Sequence, residues 1–107
     1  MRVAIRLYSI LKDIVGREEI TLDFNAEKLC LYEVITSLLE RYPSLSQYIK
    51  LNKERKIETK GVSIIVNGRH AIFLGSENTE IRDGYVIDLI PPLHGGYSFF
   101  VRIDTSI

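Results

Sequence analysis

Little of the equipment for catalysis or covalent cross-linking is present in this sequence. Cys30 is the one cysteine among 107 residues, and there is no tryptophan. A lone thiol builds no disulfide framework, so a reducing compartment is expected. Only two histidines occur, His70 and His94, and neither stands at metal-ligand spacing to the other or to Cys30, which argues against a zinc site. His70 falls beside a turn and reads as a surface side chain. Cys30 has no base near it in sequence and reads as a packed cap residue rather than a nucleophile. No glycine-rich loop joins a strand to a helix, so phosphate cradling is not expected. Carboxylates are scattered over strand edges and turns with no pair singled out. The chain therefore reads as a protein without catalysis of its own and without a bound cofactor. Excess charge is absent too: 14 basic residues face 14 acidic ones, so no global field draws it to nucleic acid or a membrane surface. No apolar run approaches the roughly 20 residues of a membrane span. The opening "MRVAIRLYS" is too short and polar for a signal peptide. One soluble cytoplasmic domain is the expectation.

What is present is patterned. Val3, Ile5 and Leu7 alternate with polar or small residues, as in a half-buried strand. Ser9 offers an N-cap oxygen, Ile10, Leu11, Ile14 and Val15 follow helical spacing, and Gly16 stands where a C-cap would. Ile20, Leu22 and Phe24 alternate again. The main helix is carried by Leu31, Val34, Ile35, Leu38, Leu39 and Tyr42, one apolar face at i, i+3, i+4 and i+7 spacing. Pro43 stops it. At its start Cys30 occupies the Ser or Thr position of a capping box with Glu33 three residues on, and a thiol makes this a poor cap; Leu29 and Val34 are placed for a hydrophobic staple. Leu45, Tyr48 and Ile49 form a short packed turn. Residues 50–60 carry five basic and two acidic side chains and read as a solvated loop. "GVSIIVNGRHAIF" is a hairpin signal built on Asn67-Gly68. Asp83-Gly84 marks another turn, and Tyr85, Ile87 and Leu89 alternate into a last strand ended by Pro91-Pro92. One helix on one sheet is an α+β layout.

The segment after that strand is Pro91, Pro92, Leu93, His94, Gly95 and Gly96. Prolines favour an extended exit, and glycines let another backbone approach closely. Extended, these residues reach roughly 20 Å, enough to thread an acceptor's active site while the body docks outside. The same residues would serve an ordinary glycine-rich turn before a final strand, and on their own they leave both readings open.

"RDGYVIDLIPPLHGG", taken with "VAIRLYSILKDIVG", "LYEVITSLLERYPSL" and "IIVNGRH", resembles the MoaD/ThiS family of ubiquitin-like sulfur carriers, typified by the small subunit of molybdopterin synthase. The similarity runs in order over residues 3–96, and the Pro-Pro-x-x-Gly-Gly ending is its most specific part. The resemblance implies a β-grasp fold, a mixed sheet wrapped on one helix. It also implies an acyl-adenylate and then a thiocarboxylate at Gly96, with residues 91–95 inserted into a partner. A ubiquitin-activating-like adenylyltransferase would use ATP to activate the glycine. In the molybdopterin branch the large synthase subunit would take the sulfur, in molybdenum or tungsten cofactor biosynthesis.

The chain departs from that pattern by continuing for eleven residues past Gly96, so that Gly96 carries an amide and no free carboxylate. Residues 1–96 then read as the carrier domain and residues 97–107 as an extension. Three outcomes follow. A processing peptidase cuts after Gly96; or the cut occurs and the acyl group goes to lysines, making a protein modifier; or no cut occurs and the chain is an interaction module. In the last case Phe99, Val101 and Ile103 alternate as an extra strand would. Burying these with Phe100 gives roughly 6–12 kcal/mol. Ordering all eleven residues costs roughly 11–22 kcal/mol. Docking therefore needs a ready apolar groove. Leu93 is the arm residue suited to a partner's groove, and His94 reads as an exposed arm residue.

Overall fold

A computed structural model describes residues 1–92. The alternating segments become strands β1 (Arg2–Leu7), which places Val3, Ile5 and Leu7 inward, and β2 (Glu19–Asp23), which does the same with Ile20 and Leu22. They pair antiparallel, Ile5 opposite Ile20. Between them lies helix α1 (Ile10–Val15), closed by Gly16 in the left-handed region with its N–H on the Lys12 carbonyl at 2.7 Å. Ser9 does hold the N-cap position, but at φ 52° its hydroxyl makes no cap bond. Phe24 falls just past β2, its N–H on the Met1 carbonyl.

A short strand β3 (Lys28–Cys30) leads directly into helix α2 (Leu31–Arg41), which buries Leu31, Val34, Ile35 and Leu38. Each such side chain contributes about 1.5–3 kcal/mol, so this face is what seats the helix on the sheet. Glu33 Oε1 accepts the Cys30 N–H at 2.9 Å as half of the capping box, and the Cys30 sulfur also faces Arg55 Nη2 at 3.3 Å. Pro43 opens a 3-10 turn, Pro43–Gln47, with Leu45 buried.

Residues 50–60 are more structured than a solvated loop. Strands β4 (Ile49–Leu51) and β5 (Ile57–Thr59) form an antiparallel pair across them. Ile49 is fully buried, and Ile57 packs against the core; these two apolar side chains fold the charged stretch down onto the body. Strands β6 (Ser63–Val66) and β7 (Arg69–His70) make the hairpin, with both turn residues at positive φ, Asn67 at 49° and Gly68 at 84°. β7 is cut short by a 3-10 turn, Ala71–Phe73. A second such turn, Ser76–Asn78, precedes β8 (Glu80–Arg82), which pairs antiparallel with β3. Strand β9 (Val86–Ile90) begins one residue after Tyr85 and closes the sheet.

The main sheet runs β2-β1-β9-β6-β7. β9 is central, parallel to β1 and antiparallel to β6, so the last strand of the chain is held on both sides. This is the mixed sheet on one main helix that an α+β, β-grasp fold requires.

Candidate functional site

The arm starts where β9 ends. Central placement fixes that point: Ile90 lies opposite Ser63 on one side, and Leu89 lies opposite Leu7 on the other. Pro91 is buried and Pro92 exposed, which carries the in-out alternation of β9 two residues past its end. Pro92 rests on Gly61. A Cβ added to Gly61 would meet Pro92 Cγ at 3.1 Å, and Gly61 has φ +74°. Both facts demand glycine there. Gly61, just before β6, is a site residue that sequence patterning did not single out; an isolated glycine flanking a strand next to the arm's exit was the available signal. Leu93, His94, Gly95 and Gly96, and the extension 97–107, lie outside the described residues.

The sheet face beside the exit is polar on one flank. Tyr8 Oη donates to Asp88 Oδ1 at 2.7 Å, and Arg6 Nη1 stands 3.9 Å from the same oxygen. The hydrogen bond to Asp88, first among its causes, holds the Tyr8 phenol above its ordinary pKa. On the other flank the surface is apolar. Ile72 and Phe73 are 66% and 79% exposed, because the 3-10 turn breaks the alternation of β7 and turns both outward. His70 is half-buried, not a plain surface side chain, and its Nδ1 accepts the Ile72 N–H at 3.2 Å.

This arrangement fixes the point at which the chain leaves the central strand. Among the described residues no group of three or more His, Cys, Asp or Glu stands where it could hold a metal ion. No helix among them is long and apolar enough to cross a membrane. Cys30 is taken up in the N-terminal cap of α2, with its sulfur facing Arg55 Nη2.

Comparison with known proteins follows the same outline. A solved structure of small archaeal modifier protein 1 from Methanosarcina acetivorans is 26% identical, with 89% of this chain and 96% of that chain covered and a TM-score of 0.70. Urm1 from Trypanosoma brucei superposes with a TM-score of 0.71 at 17% identity over 89% of this chain and 95% of that one. A chain in the complex of subunits 1 and 2 of molybdopterin-converting factor from Helicobacter pylori gives a TM-score of 0.56 at 23% identity, over 90% and 100%. No curated protein sequence matches. A family model described as the ThiS family matches residues 5–96 and stops at the second glycine. Fold, exit geometry and that match agree, and the chain belongs to the ThiS family of ubiquitin-like sulfur carriers.

Proposed function

We propose that this protein carries sulfur on Gly96 as a thiocarboxylate, for molybdopterin biosynthesis, after residues 97–107 are removed. The observation that carries the reading is the placement of Pro91-Pro92 at the end of the central strand, with Pro92 exposed and seated on Gly61. A short leader fixed to a strand paired on both sides would launch Gly95-Gly96 from a defined point, as insertion into a partner requires. The chemistry of the acyl end follows from leaving-group ability. A carboxylate is a poor acyl donor until one oxygen is made a good leaving group. An adenylyltransferase resembling ubiquitin-activating enzymes uses ATP to form the acyl-adenylate with release of pyrophosphate. A sulfur donor then displaces AMP. The carrier contributes the docked body and an unobstructed glycine, and its partners contribute catalysis. The acceptor is the large subunit of molybdopterin synthase.

A second reading has an observation of its own. The solved structure at 26% identity is a small archaeal modifier protein, which favours transfer of the Gly96 acyl group to lysine side chains. Incubating the form ending at Gly96 with activating enzyme, ATP and a sulfur donor separates the two. A sulfur-for-oxygen mass gain on the free carrier supports the first reading, and isopeptide-linked adducts without that gain support the second. Neither product would sink both.

A further inference from the structure

An apolar groove opens beside the arm's exit and has no part in the reading above. Its apolar walls include Ile57 of β5, Val62, Ile64 of β6, and Ala71 and Ile72 of the 3-10 turn, with His70, Ser76 and Glu77 forming a polar side, and its volume is about 180 Å³. Cavities of about 150 Å³ lined by such residues admit benzene, so this one takes a single phenyl ring. Exposed Ile72 and Phe73 extend it as an apolar shoulder. The chain leaves the body at the groove's rim: Pro92 packs on Gly61, and the next residue, Val62, is a wall.

We propose that residues 99–103 of the same chain occupy this groove. The sequence there is Phe-Phe-Val-Arg-Ile. Side chains alternate in an extended segment, so Phe99, Val101 and Ile103 share a face: Phe99 fills the cleft, and Val101 and Ile103 cover Ile72 and Phe73. The leash is ample. Residues 93–98 separate Pro92 from Phe99 and span up to roughly 20 Å, and Gly95-Gly96 allow the chain to fold back. Backbone groups are available as well. Bonds from Lys60 N–H to the Tyr48 carbonyl at 2.9 Å and from Asn52 N–H to the Lys56 carbonyl at 3.0 Å bracket β5. Alternation in an antiparallel pair then turns the Ile57 and Thr59 backbone groups away from β4. Glu77 Oε2 already takes the Ile57 N–H there, at 3.0 Å. Thr59 lines the groove, so an incoming strand can pair at that edge. Docking five residues into an existing groove also orders fewer than half of the eleven that follow Gly96.

The uncut chain thus covers its own apolar face and ties Gly95-Gly96 into a closed loop, and removing residues 97–107 uncovers the face. That consequence rests on the reading of Gly96 as the cut site, but the docking itself does not. The test uses the full chain, methyl-labelled for NMR, against the full chain carrying Phe99→Ser and Val101→Ser, substitutions beyond residues 1–92. Docking predicts shifted methyl resonances at Val62, Ile64, Ala71 and Ile72 in the unsubstituted chain and ring-to-methyl cross-peaks from Phe99. It also predicts that both are unchanged by about a hundredfold dilution, since an intramolecular contact has no concentration term. Superimposable groove methyls in the two proteins would overturn it. Shifts that fade on dilution together with a dimeric mass would overturn it in favour of a second copy. Shifts lost with Leu93→Ser and kept in the Phe99→Ser, Val101→Ser chain would assign the groove to the arm instead. Cleavage after Gly96 is read separately, from the C-terminal residue in cells, and stands or falls on its own.

Discussion

Gly61→Ala tests whether the arm is held where the fold places it. Two costs apply. Gly61 has φ +74°, and an L-residue in the left-handed region costs about 1–2 kcal/mol. The new Cβ would also lie 3.1 Å from Pro92 Cγ, tighter than ordinary contact. Overpacking costs about 1–3 kcal/mol in a rigid core, and the lower end applies to a ring at a chain exit. The sum is about 2–3 kcal/mol. Gly84→Ala is the control, because Gly84 has φ +83° with nothing within 4 Å of an added Cβ. It carries the backbone cost of about 1–2 kcal/mol alone. At about 4–8 °C per kcal/mol for a domain of this size, thermal unfolding resolves the difference. Pro92→Ala removes Cγ and Cδ but keeps Cβ at 3.4 Å. A double-mutant cycle should therefore return a relief of about 1 kcal/mol in the Gly61→Ala background. Equal costs at Gly61 and Gly84, with no relief from Pro92→Ala, would mean that Pro92 is not seated on Gly61. The pinned exit would then be lost.

Three further outcomes follow from named contacts. Glu77 accepts the Ile57 N–H and pairs with Lys56 at 3.8 Å, and its pKa is lowered from the ordinary 4.5, first by that backbone bond. A depressed carboxylate stabilises the fold above the unfolded value and loses that contribution as pH falls through the folded one. Glu77→Gln should thus flatten the acid limb of stability below about pH 4.5 and cost about 1–2 kcal/mol at neutral pH; an unchanged acid limb by denaturant titration would refute the role. Cys30→Ser should raise stability by about 0.5–1 kcal/mol, because a hydroxyl accepts the helix N–H better than a thiol, and a loss would show that the Arg55 contact at 3.3 Å outweighs the cap. On the form ending at Gly96, Gly96→Ala should impair transfer far more than His94→Ala, measured as thiocarboxylate formed per unit time; equal tolerance would mean that the arm is not read.

The elements legible in the sequence are those whose side chains alone dictate them. Val3, Ile5 and Leu7 need only a strand to face one way, Leu31 through Leu38 need only a helix, and Asn67-Gly68 has both φ angles positive as its turn requires. The elements that escaped are defined by distant pairing. β3 and β8 are three residues each, too short to show a period, and they exist because Leu29 meets Ile81 across the chain. β4 and β5 were hidden by the charge of residues 50–60, which masks the pair formed around Leu51 and Ile57. The "RHAIF" stretch reads as a continuing strand, yet Ala71–Phe73 turns as a 3-10 helix and faces Ile72 and Phe73 outward. The arm was legible as a motif, and Gly61 beneath it was not, because close approach between distant residues leaves no local pattern.

The most direct test of the central claim is the fate of Gly96 itself. Activating enzyme, ATP and a sulfur donor are added to the full chain and to the form ending at Gly96, and intact masses are read. The account predicts a sulfur-for-oxygen mass gain on the shorter form and none on the full chain, which has no carboxylate at that position. Sulfur transfer to the uncut chain, or no activation of the shorter one, would contradict it.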